Sequence, residues 1–375
     1  MQIVVCPDKF ANTLSASQAA IAISEGWHRF APDASIQIIP VSDGGTGFLD
    51  SISTALSLKR EPLIVRGALG ANIPAEYAFD YSSAFIEVAQ IVGIDLIEPS
   101  NQTSIIASSY GVGQAIKAAV EKGFKKIILG LGGTSVSDGG AGMFAALGAK
   151  VFDESGLESD ALEYGVSKLL EVSKIDLEEI TELLNEVTIE ILTDVDNPLL
   201  GARGTAQVFA TQKGASDKQI LEIESALTHF SKLLGKREDG KNPAVALGAG
   251  AAGGIGFGLI RLGASRSAGI DRVMNILGLK QAIEKADLVI TGEGKFDWQS
   301  LDGKAVTGVA RMAMNLGKPT IVLAGQVEIG RRDWQTIGVN GAFALAEFAG
   351  LERAMSDSAQ VLSELAQRVA RTWNR

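Results

Sequence analysis

The chain has 375 residues, 46% of them hydrophobic, which is enough for a substantial core and points to two domains. A formal net charge of −10 with no Lys/Arg stripe argues against a nucleic-acid surface, and a single cysteine, Cys6, excludes an internal disulfide. The chain opens on a strand pattern without a basic leader, and its longest uncharged run, 244–260, is interrupted by glycines that make a poor membrane span. A cytoplasmic protein without membrane or nucleic-acid partners is expected; homo-oligomer formation is compatible with the sequence.

From the N-terminus the pattern predicts a strand over 2–6, a loop over 7–13, a helix over 15–30 with Ser15 as N-cap, and a strand over 36–41. Such a βαβ unit is the signature of a parallel sheet covered by helices. Ser42-Asp43-Gly44-Gly45-Thr46-Gly47 follows directly, ahead of a helix over 48–56. Two successive strand ends therefore carry polar loops, where ligands of open α/β sheets bind. Residues 63–66, 75–80 and 85–88 read as short antiparallel strands, then a helix over 104–122 and a strand over 126–129.

The glycine-rich stretch after that strand, 130–142, leads into a helix. Such a loop suits an anion: glycines let a ligand approach the backbone, and the N–H groups of loop and helix start point outward. Gly132, Gly133, Gly139 and Gly140, with the hydroxyls of Thr134, Ser135 and Ser137, form the expected phosphate cradle. Residues 157–186 read as an acidic helical excursion without chemistry. A strand over 187–192 ends in the turn Thr193-Asp194-Val195-Asp196-Asn197-Pro198, and an amphipathic helix covers 217–234. Gly248-Ala249-Gly250-Ala251-Ala252-Gly253-Gly254 matches the dinucleotide pattern formally, but no convincing strand leads into it, so close helix packing, or a flank of the active cleft, is the better reading.

A helix over 270–285, a strand over 288–291, the loop Gly292-Glu293-Gly294-Lys295-Phe296-Asp297, and helix, strand, strand and helix to 372 complete the pattern. The expected fold is a two-domain α/β protein. A Rossmann- or flavodoxin-like parallel-sheet domain from residues 1–62 plus 286–375 receives a second α/β domain, 63–285, as an insertion.

Four strand-end loops carry carboxylates beside glycine or proline: Asp43, Asp138, Asp194 with Asp196, and Glu293 with Asp297. One is ordinary turn chemistry; four suggest a phosphate-handling, Mg²⁺-dependent site. Phosphoryl transfer needs a phosphate cradle, carboxylates for Mg²⁺, a base for the acceptor hydroxyl and cations for the developing charge. Asp138, Asp194 and Asp196 are the metal candidates. Asp43, Asp194, Asp297 and Lys9 are the catalytic candidates, with Asp43 or Asp297 to take the acceptor proton. Glu293 and Lys295 join the nucleotide-binding set, and Lys304 is a further cation. No Walker A or protein-kinase signature is present, and both histidines fall in helices.

Taken together, Pro7-Asp8-x-Phe10, Asp43-Gly44-Gly45-x-Gly47, Ser109-Tyr110-Gly111-x-Gly113, Gly132-Gly133-x-Ser135-x-x-Asp138-Gly139-Gly140-Ala141-Gly142, Asp194-Val195-Asp196-Asn197-Pro198, Gln212-Lys213-Gly214-Ala215, Thr291-Gly292-Glu293-Gly294 and Gly303-Lys304-Ala305 resemble the type I glycerate kinases of bacteria. The resemblance spans nearly the whole chain in order. It implies ATP-dependent phosphorylation of D-glycerate to 2-phosphoglycerate, with the site between two α/β domains. Three positions depart from the family pattern: Ala11 and Thr46 stand where Lys and Glu are usual, and Lys295 where Arg is usual. Two rival readings share these features, a kinase of another small hydroxy acid and a non-catalytic sensor of nucleotide or organic acid.

Overall fold

Strands buried on both faces read as continuous apolar runs, and the segments 3–6, 288–290 and 321–324 are of this kind. In the computed structural model, which describes residues 1–10, 12–301 and 305–373, they form the centre of a parallel sheet. Ala11, Gly303 and Lys304 lie outside the described residues.

The chain divides into two compact units. The first comprises Met1–Asp43, Asp50–Leu58 and Gly269–Arg375, the second Gly44–Leu49 and Lys59–Ala268. The chain thus crosses at 268/269, ahead of the expected 285/286. Residues 269–285 belong with the first unit because helix Leu279–Lys285 packs on strand Gln2–Val5 and helix Gly269–Ile276 on helix Ala305–Asn315.

In the first unit, Gln2–Val5 lies between Ser35–Ile38 and Leu288–Phe296, followed outward by Thr320–Val327 and Val339–Ala344, all parallel. Alternation sends Ile321 and Leu323 to one face, with Ile3, Ile23 and Trp27. Val322 and Ala324 go to the other, with Val306 and Val339. Helix Ala16–His28 starts at a capping box in which Ser15 and Gln18 satisfy each other's backbone N–H groups. It packs on helix Ser358–Trp373, and the approach is so close that a Cβ at Gly26 would strike the carbonyl of Ser363.

The second unit holds a six-stranded sheet. Ser265–Ser267, Thr188–Leu192, Lys126–Gly130 and Ser83–Glu87 run parallel, and Asn72–Phe79 and Lys59–Arg66 extend it antiparallel. Two expected helices are broken. The 104–122 pattern becomes Asn101–Ile106 and Tyr110–Glu121, because Ser108 N–H bonds Ala68 O and Ser109 bonds Asp138. The 270–285 pattern breaks at Gly278, which adopts φ +63°. The excursion over 157–186 is mainly not helical. Lys150–Phe152, Glu158–Ser159 and Lys174–Asp176 make a small antiparallel sheet, and only Glu178–Leu183 is an α-helix. Ala161, Leu162, Leu169 and Val172 there are buried, an apolar minority within a polar stretch. Among the described residues no helix is long and apolar enough to cross a membrane.

Candidate active site

The strand order of the first unit fixes where a ligand belongs. From Gln2–Val5 the chain continues through a helix to the strand on one side; from Leu288–Phe296 it continues to the strand on the other. The sheet's switch point therefore lies between these two neighbours, and crevices form outside their carboxyl ends. Asp8 is set there by its N–H bonding Gly292 O, at 2.8 Å, and the chain at Val41 by its N–H bonding Pro7 O, at 3.0 Å.

Asp8, Asp43 and Glu293 thereby become electrostatic neighbours. Burial, reinforced by Asp43 and Glu293, pushes the Asp8 carboxyl up to about 8, although it accepts the Lys9 N–H at 2.6 Å. Asp8 was not among the sequence candidates, yet it meets the criterion that selected the others, a carboxylate just after a strand. Lys9 adds positive charge to this cluster. Lys295 stands on the same strand as Glu293 and is ion-paired with Glu328 at 2.9 Å and Asp297 at 3.9 Å. Asp297 also accepts the Gln299 N–H and opens the short helical turn Trp298–Leu301.

In the second unit, parallel strands place the loops after Lys126–Gly130 and Thr188–Leu192 on the same edge. Leu131 N–H bonds Leu192 O at 2.9 Å, so the glycine loop and the Asp194 turn leave the sheet side by side. Gly44–Gly47 lies against this edge. A Cβ at Gly130 would strike the Gly44 carbonyl, one at Gly132 would sit 2.8 Å from Gly45 Cα, and one at Gly133 2.9 Å from Thr46 Oγ1. Buried Glu87 pins the start of helix Phe48–Leu56 by accepting the N–H groups of Gly47 and Leu49 at 3.0 and 2.9 Å.

The glycine loop divides into parts with different work. Ser135 is committed to the scaffold: its N–H and Oγ both donate to Val92 O. Asp138 is fully buried and accepts four hydrogen bonds, from Ser109 N and Oγ and from Gly140 and Gly142 N, at 2.8 to 3.1 Å. One carboxylate thus satisfies the N-terminal donors of helices Tyr110–Glu121 and Ala141–Leu147. Burial raises its pKa while those bonds oppose the shift. Gly139 and Gly140, at φ +68° and +83°, allow this wrap, and Gly139 N–H bonds Gly253 O. Gly132, Gly133 and Thr134 lie nearest the Gly44–Thr46 loop, and Ser137 Oγ is buried without a hydrogen-bond partner.

The Asp194 turn holds two different carboxylates. Asp196 is paired with Arg266, which also donates to Thr193 O at 3.1 Å. Asp194 is exposed at the turn's tip. Among the described residues no three His, Cys, Asp or Glu side chains form a ready metal cage. Mg²⁺ seldom needs one, since it binds through one or two carboxylates plus substrate phosphates. Asp194 suits that mode by its exposure and Asp43 by its place just after the sheet; Asp138 accepts hydrogen bonds from two helix starts, and Asp196 is paired with Arg266.

Sequence reasoning also passed over Lys213. It is buried, its Nζ donates to Val136 O, and desolvation lowers it to about 8 despite the Asp138 charge. It ties the short turn Thr211–Lys213 to the glycine loop; the only signal for it is its place in the Gln212-Lys213-Gly214-Ala215 motif. The Gly248–Gly254 run packs, as expected: a Cβ at Gly253 would collide with Val136 O, and Gly250 N–H bonds Asn197 O at 2.8 Å. His28 and His229 each bond a backbone carbonyl.

Each unit thus has a parallel sheet with polar strand-end loops, carboxylates and lysines in the first and a glycine-rich loop in the second, an α/β layout suited to phosphoryl transfer. The family model described as glycerate kinase family matches residues 3–374. A glycerate kinase of Halalkalibacterium halodurans is 38% identical over all of this chain and 99% of its own length. The glycerate 2-kinase of Escherichia coli K12 is 38% identical over 87% of this chain and 86% of its own. A crystal structure from Salmonella typhimurium LT2, assigned as glycerate kinase 2, superposes with TM-score 0.85 at 34% identity, covering 100% of this chain and 98% of that one. The chain belongs to the glycerate kinase family.

Proposed function

We propose that the protein transfers the γ-phosphoryl group of MgATP to the 2-hydroxyl of D-glycerate, releasing 2-phosphoglycerate and ADP. The observation that carries this reading is the Asp8–Asp43–Glu293 cluster at the switch point, in a chain of this family. Asp8 keeps its own proton at neutral pH, which leaves Asp43 as the carboxylate that receives the acceptor's hydroxyl proton. Lys9 and Lys295 face the charge that builds on the transferring group. Gly132, Gly133, Thr134 and Ser137 supply backbone and hydroxyl donors to phosphate oxygens, while Ser135, Asp138 and Lys213 hold that loop in shape. Mg²⁺, when bound with ATP, would neutralise phosphate charge, with Asp194 as its protein contact.

Coupled detection of ADP after mixing enzyme, MgATP and D-glycerate tests the reaction, and phosphorus NMR identifies the product. Turnover with a different hydroxy acid in place of glycerate would assign another acceptor. Tight ATP binding without turnover on any hydroxy acid would leave a sensor.

A further inference from the structure

The first unit contains a cavity of about 190 Å³ whose lining, Lys295 apart, has none of the roles above. It opens over the carboxyl ends of strands Leu288–Phe296 and Thr320–Val327, next to the switch point. Its floor is apolar, made of Phe10, Leu345 and Ala354, all buried. At its mouth Leu351 and Met355 remain 55% and 53% exposed, an apolar pair left without cover. Backbone forms part of the wall, because Gly294 and Gly325 line it and carry no side chains. Gln326 and Lys295 stand on the rim.

We infer that this cavity seats the nucleobase of the phosphoryl donor. The inference rests on the kinase reading and adds to it the position of the base. Four physical points support it. A three-carbon acceptor with a carboxylate and two hydroxyls gains little from an apolar floor and loses hydration there. A flat heterocycle gains from burying its faces between apolar side chains and bare backbone. Pockets for complete drug-sized ligands begin at roughly 300 Å³, so this one takes a single ring system with the sugar and phosphates outside. The Gln326 carboxamide has both a donor and an acceptor for the polar edge of an aminopurine, while the Lys295 ammonium lies on the rim where phosphates would emerge.

Titration calorimetry of the whole protein with a non-hydrolysable ATP analogue and with adenosine tests the assignment. Adenosine alone should bind and compete with the analogue. Ala354→Leu, which fills the floor, should weaken analogue binding and raise KM for ATP by roughly tenfold, the scale of one lost base-stacking contact, leaving KM for D-glycerate unchanged. Should Ala354→Leu fail to fold, Met355→Ala and Gln326→Ala carry the test from the rim. Both should weaken adenosine, and Gln326→Ala should also narrow the preference for ATP over GTP. Competition by tripolyphosphate but not by adenosine would overturn the inference. So would folded variants that leave nucleotide affinity intact or shift only KM for glycerate. Adenosine binding in a wild-type protein that never forms ADP would support the cavity's assignment and refute the kinase reading instead.

Discussion

At the scale of single residues, the environments of four carboxylates separate their roles. Asp8 titrates far above its usual 3.8, at about 8, so between these values the folded protein keeps a proton that the unfolded chain has released. Its contribution to stability is therefore complete below about pH 4 and lost as pH rises through about 8. Asp8→Asn should flatten that slope, which denaturant midpoints measured from pH 4 to 9 would register. Asp43→Asn and Asp194→Asn keep side-chain shape and remove charge. Each should lower kcat by at least roughly a hundredfold, the scale of one base or metal contact, with the melting temperature little changed. Full activity in either variant reduces that residue to a turn former. Asp138→Asn should do the opposite, costing about 3 kcal/mol of stability because an amide presents one acceptor to four buried donors; chemical denaturation would read the loss. Asp43 and Asp194 stand out in the sequence because each is a strand-end carboxylate next to glycine or close to proline. Asp138 looked the same in the sequence, and only its distance-29 partner Ser109 distinguishes a buried helix anchor from a metal ligand.

At the scale of elements, the N-cap Ser15 and the apolar spacing that follows made helix Ala16–His28 readable to within two residues, and helix Asp217–Leu234 to both its ends. Both are long amphipathic segments whose local pattern agrees with their packing. The errors fall where a distant partner overrides local preference. Residues 107–109 have helical neighbours on both sides, but tertiary bonds to Ala68 and Asp138 pull them out of the helix. Residues 157–186 hide a few core side chains inside an acidic run. The motif glycines have mixed causes as well: Gly111 and Gly113 lie where a Cβ would hit Arg66 O and Met143 O, so they serve element contact and not a ligand. Gly253 is the sharpest case, with φ +69° and no room before Val136 O. Gly253→Ala should destabilise the protein by about 3 kcal/mol or more and shift the glycine loop, visible as a lower melting temperature together with weakened nucleotide binding. Thr46, one of the family departures, touches the same loop from the Gly44–Gly47 side, and Thr46→Glu should alter activity through Gly133.

At the scale of the whole molecule, the α/β class and the parallel sheets were legible because βαβ periodicity is local. The sequence reading resumes the first domain at 286, just ahead of the strand over 288–291, whereas packing groups Gly269–Arg375 with the first unit. The sheet of the first unit joins residues 285 positions apart, such as Thr291 and Cys6. During synthesis this order has a consequence in time. Strands Gln2–Val5 and Ser35–Ile38 leave the ribosome first, yet Leu288–Phe296, the partner on the open side of Gln2–Val5, follows about 250 residues later, on the order of tens of seconds at ordinary elongation rates. Lys59–Ala268 ends shortly before that strand begins. Chains truncated after residue 285 and released from the ribosome should therefore show a protease-resistant second unit and a cleavable N-terminal segment. The open edge Ile3–Val5 would need a chaperone to keep it from pairing with another chain.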